Sequence, residues 1–153
     1  MTSRNSGLYT YNPENKFMLY NITSSNRSQQ YKVAARQWIS EINFFSTETA
    51  FLQNLLQGCI PLLSDKTFAE KRKMTVKRLI KLEADKNYSD HILTEQFEML
   101  EHAARVRLPE NEVELACKQM ELEFLMGSLN EEYREVKREL FLLIESVFPE
   151  HKR

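Results

Sequence analysis

From Leu122 to the end of the chain, the apolar residues Leu122, Met126, Leu129, Tyr133, Val136, Leu140, Leu143 and Val147 recur at spacings of 4, 3, 4, 3, 4, 3 and 4. A repeat of 3.5 residues places all eight on one seam of an α-helix, the a/d seam through which helices pack in coiled-coil fashion. The register passes Gly127 without a slip, so a single helix is predicted from about Glu110 to Phe148, roughly 58 Å long at ~1.5 Å per residue. A helix of that length cannot bury its seam against itself. It demands partner helices of comparable length.

The rest of the chain supplies them. Three glycines and four prolines in 153 residues leave few sites for the tight turns of a strand-rich fold, and favour long helices. A first helix is predicted from about Ser28 to Gln57, stopped by Gly58 and Pro61. Ser64 or Asp65 then caps a second, with Phe68, Val76, Leu79 and Leu82 on its buried side. The apolar pattern lapses between Lys86 and Asp90, where the helix either kinks or breaks, and resumes with Leu93, Phe97, Leu100, Ala104 and Leu108. Pro109 opens the last helix. Length matching favours one element over 65–107 and an all-α, antiparallel up-down bundle of three long helices. A true break near 86–90 would make four.

Half of residues 1–30 are Ser, Thr, Asn or Gln. Residues 1–27 are therefore expected to form a polar, flexible tail before a single helical-bundle domain over 28–148, with 149–153 as a C-terminal tail. The cluster Phe17-Met18-Leu19-Tyr20 within the first tail is expected to dock on the bundle or on a partner. No apolar run suggests a signal peptide or a membrane span, and Cys59 and Cys117 fit neither a disulfide framework nor a metal spacing. The expected setting is cytoplasmic.

Composition excludes some partners and chemistry. With 21 basic and 22 acidic residues the chain has no bulk field toward nucleic acid. Residues 66–86 hold eight Lys or Arg, but without interleaved aromatics for base stacking, and the ten Glu of residues 110–148 are a ready counterpart within the chain. There is no Gly-rich phosphate loop and no nucleophile beside a base, so an enzyme is not expected, nor is a cofactor.

The carboxylates give the candidate sites. In the first helix, Ala34, Trp38, Ile42, Phe45, Leu52 and Leu56 form one apolar set. Val33, Phe44, Phe51 and Leu55 form a second about 120° away. Glu41 and Glu48 fall between the sets, inside the sector expected to be buried. A buried carboxylate needs a partner. Hairpin arithmetic about residue 60 sets Glu48 level with Arg72, which predicts an inter-helix Glu48–Arg72 pair, with Glu41 bonded to a Lys, Arg or Tyr. The alternative is a metal site for Fe, Mn or Zn using Glu41, Glu48, Glu95, Glu98 and His102. His91, Glu95, Glu98 and His102 do share one helical stripe, but it lies opposite the apolar side, where a solvated polar face is the simpler expectation.

The pattern Trp38-x-x-Glu41-x-x-Phe44-Phe45-x-x-Glu48, together with "KRELFLLIESVF" at 137–148, resembles small helical-bundle proteins of Bacteroidota that have no established activity. The resemblance spans about residues 35–148. It implies a helical bundle and says nothing of mechanism. A non-enzymatic interaction or scaffold role is the expectation, with a homodimer admitted by apolar faces wider than one partner helix covers.

Overall fold

The computed structural model describes residues 13–63, 65–105 and 109–148. These form α1 (Pro13–Cys59), a short 3-10 turn (Ile60–Leu63), α2 (Lys66–Arg105) and α3 (Pro109–Val147), with no strand among the described residues. The fold is all-helical, and α2 is the helix on which the other two pack most extensively.

All three helices carry the same period. On α1 it runs through Ala35, Trp38, Ile42, Phe45, Thr49, Leu52, Leu56 and Cys59. On α2 it runs through Thr75, Leu79, Leu82, Lys86, Ser89, Leu93, Gln96, Leu100 and Ala103. On α3 it extends the predicted seam back to Leu115 and Gln119. Alternating steps of three and four keep each stripe facing the same neighbours along a long helix. Each fully buried Leu on these stripes contributes on the order of 1.5–3 kcal/mol.

The lapse at 86–90 is now explained. Helix α2 runs through it, because polar side chains occupy the buried positions and are satisfied locally. Ser89 Oγ donates to the Asp85 carbonyl at 2.9 Å and Lys86 Nζ reaches Glu83 Oε1 at 2.7 Å. Such bonds satisfy a polar group within its own stretch of helix. Farther along, Gln96 Nε2 donates to the Leu115 carbonyl at 3.1 Å and to Gln119 Oε1 at 3.4 Å. This pair lies between the main apolar core and a smaller cluster of Leu100, Ala103 and Leu115.

The ends differ from expectation in two ways. Helix α1 begins at Pro13, well before Ser28, so residues 13–27 are helical where a flexible tail was expected. Polarity alone did not betray this, since Ser, Asn and Gln break a helix only weakly when no Gly or Pro intervenes. At the other end Gly58 is itself helical and lacks the left-handed conformation of a glycine cap. Pro61, in the 3-10 turn, marks the stop. At the start of α2, the Asp65 carbonyl accepts from the amides of Phe68 and Ala69, both at 3.0 Å. Residues 1–12, Ser64, 106–108 (Leu108 among them) and 149–153 lie outside the described residues, as do the side chains of Phe17 to Tyr20. No helix among the described residues is long and apolar enough to cross a membrane.

Candidate functional site

The two glutamates of α1 sit at the flank of its buried stripe, on the side turned to α3. Tyr133 of α3 donates its hydroxyl to Glu48 Oε2, and Lys137 Nζ approaches the same oxygen at 3.7 Å. Lys137 also lies 5.8 Å from the centre of the Tyr133 ring. The ring packs against Phe45 at 5.2 Å and meets the edge of Phe44 at 6.3 Å between centroids. Burial, followed by the hydrogen bond and charge of Glu48, holds the Tyr133 phenol far above its ordinary pKa. A buried tyrosine that fills a seam position still needs a partner for its hydroxyl. That requirement was the available signal that Tyr133, already on the predicted stripe, would reach for a carboxylate.

The expected Glu48–Arg72 pair is therefore corrected: Glu48 is held by Tyr133 and Lys137. Arg72 is half-buried on the opposite flank of α1, in a groove it shares with Gln53, Leu56, Ile60, Val76 and Ile80. The physical reason is that a helix in a three-helix bundle has two neighbours, one on each flank of its seam. Hairpin arithmetic matches heights along a pair, but leaves open which neighbour faces a given flank. Glu41 is likewise corrected. Among the described residues its partner is Gln37, whose Nε2 donates to Oε1 at 3.2 Å, and not a Lys, Arg or Tyr.

The two apolar sets of α1 also part company. The first is the core, with Ala35 taking the buried place expected of Ala34. The second is divided: Val33, Phe44 and Phe51 are each more than half open to solvent, at 56, 54 and 53%, whereas Leu55 is half-buried against the core. On α2, Val76 is exposed where burial was expected, and Ala103 rather than Ala104 faces the core.

The five candidate metal ligands are not brought together. Glu41 and Glu48 take the partners just described. Glu95 is bonded to Lys118 at 2.8 Å and to His91 at 3.1 Å. Exposed Glu98 and His102 line a shallow groove with Lys118 and Glu114. Among the described residues, no group of three or more His, Cys, Asp or Glu could hold a metal ion. Lys118 is the main reason Glu95 is held below the usual carboxylate range.

The basic stretch at 66–86 meets acidic residues of α3. Arg78 pairs with Glu139. Lys81 bonds Asp85 at 2.8 Å and Glu132 at 3.3 Å, which raises its pKa through the Asp85 bond first and then that to Glu132. Exposed pairs of this kind add little stability each, and act mainly in choosing neighbours.

A different feature stands out on α3. Val113, Cys117, Met120 and Phe124 follow a 4, 3, 4 spacing on its outer side, and all four are exposed. They escape a seam search because a stronger stripe on the same helix already accounts for its packing. Comparison with known protein families, with curated proteins and with solved structures gives no match.

Proposed function

We propose that the chain is an antiparallel up-down bundle of three helices that works without catalysis, as an interaction or scaffold module in the cytoplasm. The topology is supported by cross-helix partners. Along α2 the order Arg78, Lys81, Gln96 meets Glu139, Glu132 and Leu115 of α3, so one number rises as the other falls. Both cysteines are free thiols, in keeping with a reducing compartment.

The observation that carries the functional reading is the set of large apolar side chains left outside a completed core. Val113, Met120 and Phe124 are 68, 72 and 73% exposed along one side of α3. Single exposed apolar residues are ordinary, whereas a run of them along one helix marks a contact surface. The grooves between helices hold lysines, arginines and glutamates already paired with one another, which suits recognition better than reaction.

The test is site-specific photo-crosslinking in cells that express the chain. A benzophenone amino acid at Phe124 or Phe51 should give discrete adducts, and the same probe at Lys77 or Glu98 should not. Absence of adducts at both apolar positions would overturn the reading. So would stoichiometric iron, manganese or zinc in the purified protein, which would favour a metal-binding bundle instead.

A further inference from the structure

From Gln37 to Gly58, every exposed residue of α1 is uncharged. The outer faces of the other helices are different: α2 presents Lys73, Lys77 and Glu98, and α3 presents Glu131, Arg134 and Arg138. The only charged residues in this stretch of α1 are Glu41 and Glu48, and both are partly buried. Glu48 is turned into Tyr133 and Lys137, and Glu41 accepts from Gln37. No fully exposed charge stands on this face, so removing it from water costs less ionic hydration than burying the outer face of α2 or α3. Phe44 and Phe51 stand on it seven residues apart, each half open to solvent.

We infer that this face is the seat of a two-fold symmetric homodimer, in which α1 of one copy crosses α1 of a second copy with Thr47 near the axis. The inference rests on the interaction-module reading and names its partner. Three observations favour a second copy as the occupant. First, a two-fold contact sets a surface against itself, so a face whose charges are all of one sign meets that same sign. The α3 stripe, flanked by Glu114, Glu121 and Glu123, would repel its copy, whereas the charge-free face of α1 would not. Second, Phe44 and Phe51 lie on either side of Thr47. An antiparallel crossing therefore sets Phe44 of one copy beside Phe51 of the other, while Ser40, Thr47 and Ala50 are small enough to let the backbones approach. Third, the area is sufficient. Four half-open phenylalanine rings supply on the order of 400 Å². The surrounding side-chain amides of Asn43, Asn54 and Gln57, each able to donate and accept, carry the total toward the roughly 1,000 Å² of a specific contact.

Sedimentation equilibrium of the full chain tests this. Wild type should sediment at twice the chain mass. Phe44→Glu and Phe51→Glu, which place a carboxylate at two related points of the contact, should each weaken association by at least about tenfold. Both side chains are exposed, so far-UV circular dichroism should be unchanged. Phe124→Glu should dimerise like wild type. As a gain-of-signal arm, Thr47→Cys in a Cys117→Ser background should oxidise to a disulfide-linked dimer. A monomeric wild type would overturn the inference. So would a dimer indifferent to both α1 substitutions, or one lost only with Phe124→Glu. If the chain is monomeric while a crosslinker at Phe124 still captures a protein, the homodimer alone fails. If no position yields an adduct, the interaction reading fails with it.

Discussion

The phenol of Tyr133 on α3 donates a hydrogen bond to the Glu48 carboxylate on α1. It joins two helices that otherwise meet over less surface than either shares with α2. Lys137 stands one turn along α3, 3.7 Å from the same oxygen. α3 thus brings this carboxylate both a hydrogen-bond donor and a cation. Replacing Tyr133 by Phe should cost about 1–2 kcal/mol, the range for a charge-assisted hydrogen bond at a partly exposed site. A double-mutant cycle of Tyr133→Phe with Glu48→Gln, followed by urea denaturation, should give a coupling of about 1 kcal/mol. A coupling of zero would mean that the two groups act independently.

The same relationship sets an alkaline limit. Burial, then Glu48, raises the folded-state pKa of Tyr133 above its ordinary value of 10.0. Because folding favours the protonated phenol, the contribution is fully present below pH ~10 and is lost as pH rises through the folded pKa. Tyrosinate absorbance near 295 nm should show one residue that titrates later than the others and does so only as the protein unfolds. Tyr133→Phe should remove that late component.

How far the residues announce their own structure depends on which question is put to them. The seam from Leu122 to Val147 dictates a long helix and a bundle because its period is unbroken and apolar. The seam of α2 is equally regular, yet Thr75, Lys86, Ser89 and Gln96 sit on it, so hydropathy alone shows a gap where the helix shows none. The burial of Glu48 follows from the wheel of α1. Its partner does not, because the choice between α2 and α3 is made by the arrangement of three helices, which no pairwise spacing encodes. The exposed Phe44 and Phe51 were misread for a related reason: an apolar residue beside a seam looks the same whether it faces a helix of its own chain or a surface awaiting another.

The polar layer at Gln96 makes a further prediction. Its side chain is fully buried, and its Oε1 has no hydrogen-bond partner, while Nε2 reaches Leu115 and Gln119. Replacing both Gln96 and Gln119 by Leu removes donors and acceptors together, so stability should stay level or rise by about 1–2 kcal/mol. The lost function is register, since a buried polar pair penalises displaced packings. Broader amide resonances in NMR spectra, alongside an unchanged or higher melting temperature, are expected. Sharp, singly populated resonances would show that Leu and Gln specify the bundle equally well.

Neighbouring leucines on α3 offer a direct check of the seam. Leu140 is fully buried and Leu142 is 57% exposed. Leu140→Ala should cost about 2–5 kcal/mol through lost burial and an unfilled cavity, whereas Leu142→Ala should stay within about 0.5 kcal/mol. Comparable losses at both positions, measured by chemical denaturation, would place the seam on the wrong residues.

The cluster of Asp85, Lys81 and Glu132 should give opposite signs of pH dependence within one site. Burial pushes Asp85 up, but the bonds from Lys81 and Glu132 and the charge of Lys81 outweigh it, leaving a net fall below 3.8. Burial raises Glu132 above 4.5, and its hydrogen bond with Asp85 adds to the rise, while Lys81 pulls the other way. For Asp85 the stabilising contribution is present above its unfolded value of 3.8 and is lost as pH falls through the lower folded value. For Glu132 it is present below the unfolded value of 4.5 and is lost as pH rises through the higher folded value. Carboxyl carbon shifts followed by NMR should therefore show Asp85 titrating early and Glu132 late. In Asp85→Asn, the like-charge neighbour is gone but burial remains, so Glu132 should move back only part of the way toward 4.5. If Glu132 shifts fully to its ordinary value, the neighbouring carboxylate, and not burial, is what holds its proton.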